Sequence, residues 1–145
     1  MRHEIHIFNR QEIEALEPPP APYCVISITG SRYDRADLSR LRGARGVLRL
    51  VFDEDTFTPE TARRVWEFVR AQDAKAQTYL VHCGAGQVRS ASVACGLALF
   101  WGDGAAEVER TFEERAPRRD IYDTLCRAYA ETFPAETFPA ETRNR

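Results

Sequence analysis

Residues 82–90 read His82-Cys83-Gly84-Ala85-Gly86-Gln87-Val88-Arg89-Ser90. An apolar run of strand length precedes them and an apolar run of helix length follows. A loop turning from strand to helix points several backbone N–H groups inward and forms a nest for an anion. The helix N-terminus adds partial positive charge at the same place. Gly84 and Gly86 permit tight or positive-φ geometry and let an oxyanion approach the backbone. Arg89 can close the cradle with two parallel hydrogen bonds to phosphate oxygens. The field that favours the anion also favours the Cys83 thiolate, lowering its pKa and making it a nucleophile. Ser90 can donate to that sulfur or help it leave later.

A cysteine six positions before an arginine is weak on its own. With 19 arginines and four cysteines in 145 residues, chance supplies such a pair roughly 40% of the time. Adding the preceding His82, the Gly at 86 and the Ser at 90 lowers chance to on the order of one in ten thousand. In these residues the loop resembles the Cys-x5-Arg signature of the protein tyrosine phosphatase superfamily. It is most similar to the compact dual-specificity branch, whose loop reads HC-x-x-G-x-x-R-(S/T). The resemblance runs in order over about residues 23–130, with the loop as its specific part. Receptor-type domains are about twice as long, and the low-molecular-weight branch carries its cysteine near the N-terminus. Val88 stands where many relatives have a small polar residue, which would dry or reshape one wall of the cradle.

The resemblance implies a phosphomonoester hydrolase in which Cys83 attacks phosphorus and water then hydrolyses the phosphocysteine. Arg89 and the N–H groups of residues 84–89 would bind the phosphoryl oxygens, and His82 would hold the cysteine in place. No metal and no cofactor are implied. Expelling the ester oxygen needs a proton donor, and the resemblance implies an aspartate for it, just past a strand end and about thirty residues before the cysteine. Asp53, Glu54 and Asp55 sit there, with Asp53 30 positions and Asp55 28 positions upstream of Cys83. Spacing favours Asp53, whereas Asp55 lies further into the loop, where a donor swings more easily over a substrate. The plain alternative for all three is a run of solvated loop acids.

These residues need elements to hold them. Residues 4–8, 23–28, 47–52 and 78–81 are short runs rich in β-branched and apolar side chains. Residues 11–17 and 34–41 suggest a short helix and a helical turn. Thr58-Pro59-Glu60 starts a helix, with Thr58 as N-cap and Pro59 at the first helical position. Ala62, Val65, Trp66 and Val69 continue it at helical spacing. Residues 89–100, 105–116 and 120–133 suggest three more helices. Alternation of strands and helices predicts a three-layer α/β fold, with a central, mainly parallel sheet flanked by helices. The resemblance makes this tyrosine-phosphatase-like. A single domain is expected over residues 1–133, followed by a flexible tail at 134–145 that repeats TFPAE.

Composition sets the remaining bounds. The chain is 43% hydrophobic and 29% charged, with a formal net charge of −2, which argues against a nucleic-acid binder working through a basic field. No run reaches the roughly 18 apolar residues of a membrane span, and residues 1–8 lack the apolar stretch of a signal peptide. Reduced thiols and a cytoplasmic location are the expectation. Cys24 and Cys95 lie in apolar segments and read as core, while Cys126 is unassigned. Arg118 and Arg119 follow Pro117 and can approach an anionic substrate, with a solvated helix-flanking pair as the plainer reading. The expected partner is a phosphorylated protein or a small phosphomonoester. A phosphoinositide or nucleotide substrate suits the lysine-free loop less well. A phosphate-binding module without turnover is the rival from another class, although Cys83, Arg89 and the upstream acids are all retained. A sulfurtransferase or arsenate reductase also uses a cysteine loop, but fits the acids and Ser90 less well. Nothing in the sequence sets an oligomeric state.

Overall fold

Burial along each strand accounts for its place in the sheet. Tyr23–Thr29 (β2) and Thr78–His82 (β4) are buried at every residue, as strands covered on both faces must be. They pair in the middle of the sheet. Glu4–Phe8 (β1) and Val47–Val51 (β3) each carry exposed residues and form the edges. The order is β1-β4-β2-β3, and all three pairings are parallel. The computed structural model describes residues 3–72 and 76–134. The flexible-tail expectation therefore lies, from residue 135 on, outside the described residues.

Alternation in the central strands divides the core in two. Cys24, Ile26 and Ile28 of β2 and Tyr79 and Val81 of β4 face one layer. That layer contains Pro59–Gln72 (α2), Arg89–Phe100 (α3) and Arg119–Thr132 (α5), through residues such as Trp66, Leu97 and Leu125. Ala105–Glu114 (α4) packs against α3. Tyr23, Val25 and Leu80 face the other layer, with Ile13 of the short helix Arg10–Ala15 (α1) and Leu41 of the 3₁₀ turn Ser39–Leu41. The three-layer α/β expectation holds, with one layer much thinner than the other.

Several boundaries move for local reasons. Helix α1 begins at Arg10 because Asn9 caps it. The Glu12 N–H donates to Asn9 Oδ1 at 2.7 Å, and the Asn9 N–H donates back to Glu12 Oε1 at 2.8 Å, a reciprocal cap that the sequence reading missed. Strand β3 stops at Val51, whereas β4 runs one residue further, to His82. Of residues 34–41, only Ser39–Leu41 is helical. The Thr58 cap is present, with the Thr61 N–H donating to Thr58 Oγ1 at 3.1 Å.

The connections explain why the C-terminal edge of β4 is special. Chain leaving β1 and β2 turns to the thin layer, while chain leaving β4 enters α3 in the thick one. Neighbouring strands whose connections part to opposite faces leave a crevice beyond their ends. Residue 83 enters that crevice.

Helix α3 reaches this position only by lying close to α5. A Cβ added at Gly96 would collide with Leu125 Cδ2 and stand 2.9 Å from its Cγ, and Leu125 is fully buried. Gly96→Ala gains up to about 1 kcal/mol of helix propensity but overpacks this contact, which typically costs about 1–3 kcal/mol. A net loss of up to about 2 kcal/mol is expected from urea unfolding; a gain would show that the helices separate freely.

Candidate active site

Cys83 is the first residue past β4, and its side chain is buried beneath the loop that follows. Its Sγ lies 3.1 Å from the Ser90 hydroxyl, and the Gly86 N–H donates to it at 3.3 Å. Burial pushes the thiol up. Hydrogen bonds from the Ser90 side chain and from the Ser90 and Gly86 backbones, with the charge of Arg89, outweigh that effect and hold the thiol below its ordinary value. The other cysteines lack such donors in sufficient number. Burial pushes Cys24 up to about 11, Cys95 to about 12 and Cys126 to about 11. All four are free, and Cys24 and Cys95 belong to the core as expected.

His82 is fully buried and paired in register with Ser27 of β2. Its Nε2 lies 2.6 Å from Ser27 Oγ, and its Nδ1 lies 3.2 Å from the Cys83 carbonyl. Burial, above all, holds the imidazole below its usual value. A neutral ring with its proton on Nδ1 donates to the Cys83 carbonyl and accepts from the Ser27 hydroxyl, which satisfies both nitrogens.

The carbonyls of Gly84, Gly86, Gln87 and Val88 accept hydrogen bonds from segments around the loop. The Arg10 N–H donates to the Gly84 carbonyl at 3.0 Å and the Ala116 N–H to the Gln87 carbonyl at 2.9 Å. Arg115 Nη1 donates to the Gly86 carbonyl at 2.6 Å. The Ser92 hydroxyl donates to the Val88 carbonyl at 2.6 Å. Gly86 has a φ of +73°, and a Cβ there would meet Asn9 N at 2.9 Å and the Phe8 carbonyl carbon at 3.0 Å. Glycine is required at 86 on both counts. Gly84, by contrast, has no positive φ, and a Cβ there would make only an ordinary contact with Arg89 Nη2 at 3.5 Å. Gly84, Ala85 and Gln87 are exposed, and Val88 is half-buried.

Arg89 opens α3 and reaches back across the crevice, where its Nη1 donates to the Phe52 carbonyl at 3.1 Å. That bond brings the end of β3 beside the cradle, with Asp53 next in the chain. The Asp53 N–H donates to Thr56 Oγ1 at 2.8 Å, and Asp53 Oδ1 accepts the Asp55 N–H at 2.9 Å. The acids thus form an organised turn rather than a free run. Asp55 and Glu54 both face Arg118, whose Nη1 lies 3.4 Å from Asp55 Oδ1 and 3.9 Å from Glu54 Oε1. Arg118 is therefore no merely solvated residue. Arg119 stacks over Phe112 and Tyr122, at 4.6 and 5.8 Å from the ring centroids.

The structure brings together Cys83, Arg89, Ser90, His82 and the acidic turn. Sequence reasoning missed Arg10, Ser27, Ser92, Arg115 and Ala116. Of these, only Arg115 left a faint signal, a third arginine beside Pro117. The thiol's environment is directly testable. Iodoacetate near neutral pH is expected to alkylate Cys83 before Cys24, Cys95 or Cys126. In Ser90→Ala a lowering hydrogen bond is lost, so the pH midpoint of Cys83 alkylation rises. An unchanged or lower midpoint would remove Ser90 as the cause of the depression.

No family model and no curated protein matches the sequence. Solved structures do. The crystal structure of PTPMT1 in complex with PI(5)P is 15% identical with a TM-score of 0.57, covering 92% of this chain and 96% of that one. The active form of Tk-PTP is 16% identical with a TM-score of 0.58, covering 94% of each chain. Human DUSP28 is 17% identical with a TM-score of 0.56, covering 92% of this chain and 95% of that one. With its parallel four-stranded sheet and its cysteine loop between β4 and α3, the chain has the fold of the protein tyrosine phosphatase superfamily.

Proposed function

We propose that the protein hydrolyses phosphomonoesters through a phosphocysteine, acting on phosphorylated tyrosine or serine/threonine side chains of proteins. The observation that carries this is the Cys83 sulfur, buried under a loop whose N–H groups and arginine converge on it. A phosphoryl dianion entering the crevice meets Arg89 and the inward N–H groups, which balance the charge of its three peripheral oxygens.

In the first step the Cys83 thiolate bonds to phosphorus and the phosphorus–oxygen ester bond breaks. The departing oxygen takes a proton from Asp53 and leaves as an alcohol or phenol. In the second step water bonds to phosphorus and gives a proton to the Asp53 carboxylate. The phosphorus–sulfur bond breaks, and the thiolate departs into its hydrogen bonds with Ser90 and Gly86. Asp53 is preferred as donor because it directly follows Phe52, whose carbonyl Arg89 holds. Only one of its carboxyl oxygens is engaged by the Asp55 N–H.

Two substitutions test these roles. Cys83→Ser is expected to lower phosphate release from p-nitrophenyl phosphate by about four orders of magnitude or more, as removal of other activated nucleophiles does. Equal activity in both proteins would overturn the mechanism. A general acid contributes about 10²–10⁴-fold, so Asp53→Asn should lower turnover of phenyl phosphate by about 100-fold or more. It should also flatten the alkaline limb of the rate profile. The sign follows from the role: a donor works only while it carries its proton, so removing it removes the fall in rate toward alkaline pH. If Asp55→Asn flattens that limb instead, the donor is Asp55.

A further inference from the structure

We propose that Arg118 is a positioning residue that latches the acidic turn to the segment bracing the signature loop; the inference rests on the phosphatase reading above. Residues 115–118 join α4 to α5 and run behind the loop. Arg115 and Ala116 donate to the carbonyls of Gly86 and Gln87. The Arg118 N–H donates to Ser92 Oγ at 2.7 Å, and the same hydroxyl donates to the Val88 carbonyl. The Arg118 backbone is therefore registered to the first turn of α3.

Its guanidinium is aimed as well as anchored. Nε and Nη2 donate to the two carboxyl oxygens of Asp120 at 3.1 and 2.9 Å, a bidentate fork that fixes the plane of the group. Asp120 is itself held by the Ile121 N–H at 2.9 Å. Nη1 is left to reach Asp55 and, more distantly, Glu54. Asp55 then acts on the proposed donor through its backbone, because its N–H holds Asp53 Oδ1. The chain of contacts runs from the signature loop through Ser92, Arg118 and Asp55 to Asp53. It gives the donor a fixed place relative to the sulfur without Arg118 touching the substrate.

The Asp55 side chain is 85% exposed, and one such pair biases a conformation only a few-fold. The contacts to Asp55 and Glu54 together set the scale of the effect, about tenfold. It should fall only on reactions that need the donor. The test compares kcat/KM, which reports transfer to Cys83, on phenyl phosphate and on 2,4-dinitrophenyl phosphate, whose leaving group departs without a proton. Arg118→Ala is expected to lose about tenfold on phenyl phosphate and less than about twofold on the dinitrophenyl ester. Inhibition by inorganic phosphate should be unchanged. Asp55→Ala leaves the Glu54 contact, so it should show the same selectivity with a smaller, few-fold loss, and the double variant should be no worse than Arg118→Ala. Arg118→Lys keeps the charge but not the fork, so it should recover part of the loss.

Equal losses on both esters would make Arg118 merely structural and overturn the proposal. Weaker phosphate inhibition would make it a substrate-binding arm, which overturns it too. Additive losses from Arg118→Ala and Asp55→Ala would break the link between the two residues. Absence of turnover of either ester by the wild type would instead overturn the phosphatase reading itself, and the latch with it.

Discussion

A buried sulfur that accepts hydrogen bonds imposes one demand that organises much of this molecule. Its backbone donors must point inward, so the carbonyls of the same peptides point outward, toward whatever packs behind the loop. Buried carbonyls need partners, and here the partners come from separated parts of the chain. His82 serves Cys83, the Arg10 backbone serves Gly84, Arg115 serves Gly86, Ala116 serves Gln87 and Ser92 serves Val88. The cradle is thus half of a structure whose other half is a ring of outward hydrogen bonds. The position of α1 and the path of the α4–α5 connection follow from closing that ring.

The same demand explains why the sheet is arranged around β4. A loop that needs support from both layers has to emerge where those layers part, between β4 and its two neighbours. The end of β1 at Phe8 and the α1 cap Asn9 lie close against Gly86, and β2 contributes Ser27 opposite His82. Four cysteines in one small fold then behave as two kinds of group. Cys24 and Cys95 are thiols in apolar surroundings and stay protonated. Cys83 is as buried as they are, but it is ringed by donors, and hydrogen bonding outweighs burial. Cys83 differs from a core cysteine by its neighbours rather than by its depth.

The parts of the site carried by contiguous residues were legible in the sequence: the loop at 82–90, its flanking strand and helix, and the acids at a strand end. The strands were readable because both central ones are β-branched or apolar at nearly every position, and the helix at 59 because Thr58 and Pro59 mark its start. The bracing residues were not readable. Arg115 meets Gly86 across 29 positions and Arg118 meets Asp55 across 63, and an arginine bonded to a distant carbonyl looks in sequence like any of the other arginines. Glycine had the opposite problem. Gly84 and Gly86 look equally constrained, yet only Gly86 faces another strand end and adopts a positive φ.

The acidic turn is the part of the site held least by burial. Its side chains are exposed, and its ties are hydrogen bonds and ion pairs at the surface, each of them weak. The proposed donor would have to protonate a departing oxygen and later accept a proton from water, so it would have to remain near the solvent, where apolar packing is not available to hold it. What remains is geometry: a turn closed on itself by Asp53 and Thr56, tethered at one end by Arg89 through Phe52 and at the other by Arg118 through Asp55. Both tethers are arginines rooted in the elements that carry the sulfur. Weak bonds suffice there because they choose among positions of one short turn rather than hold the fold together.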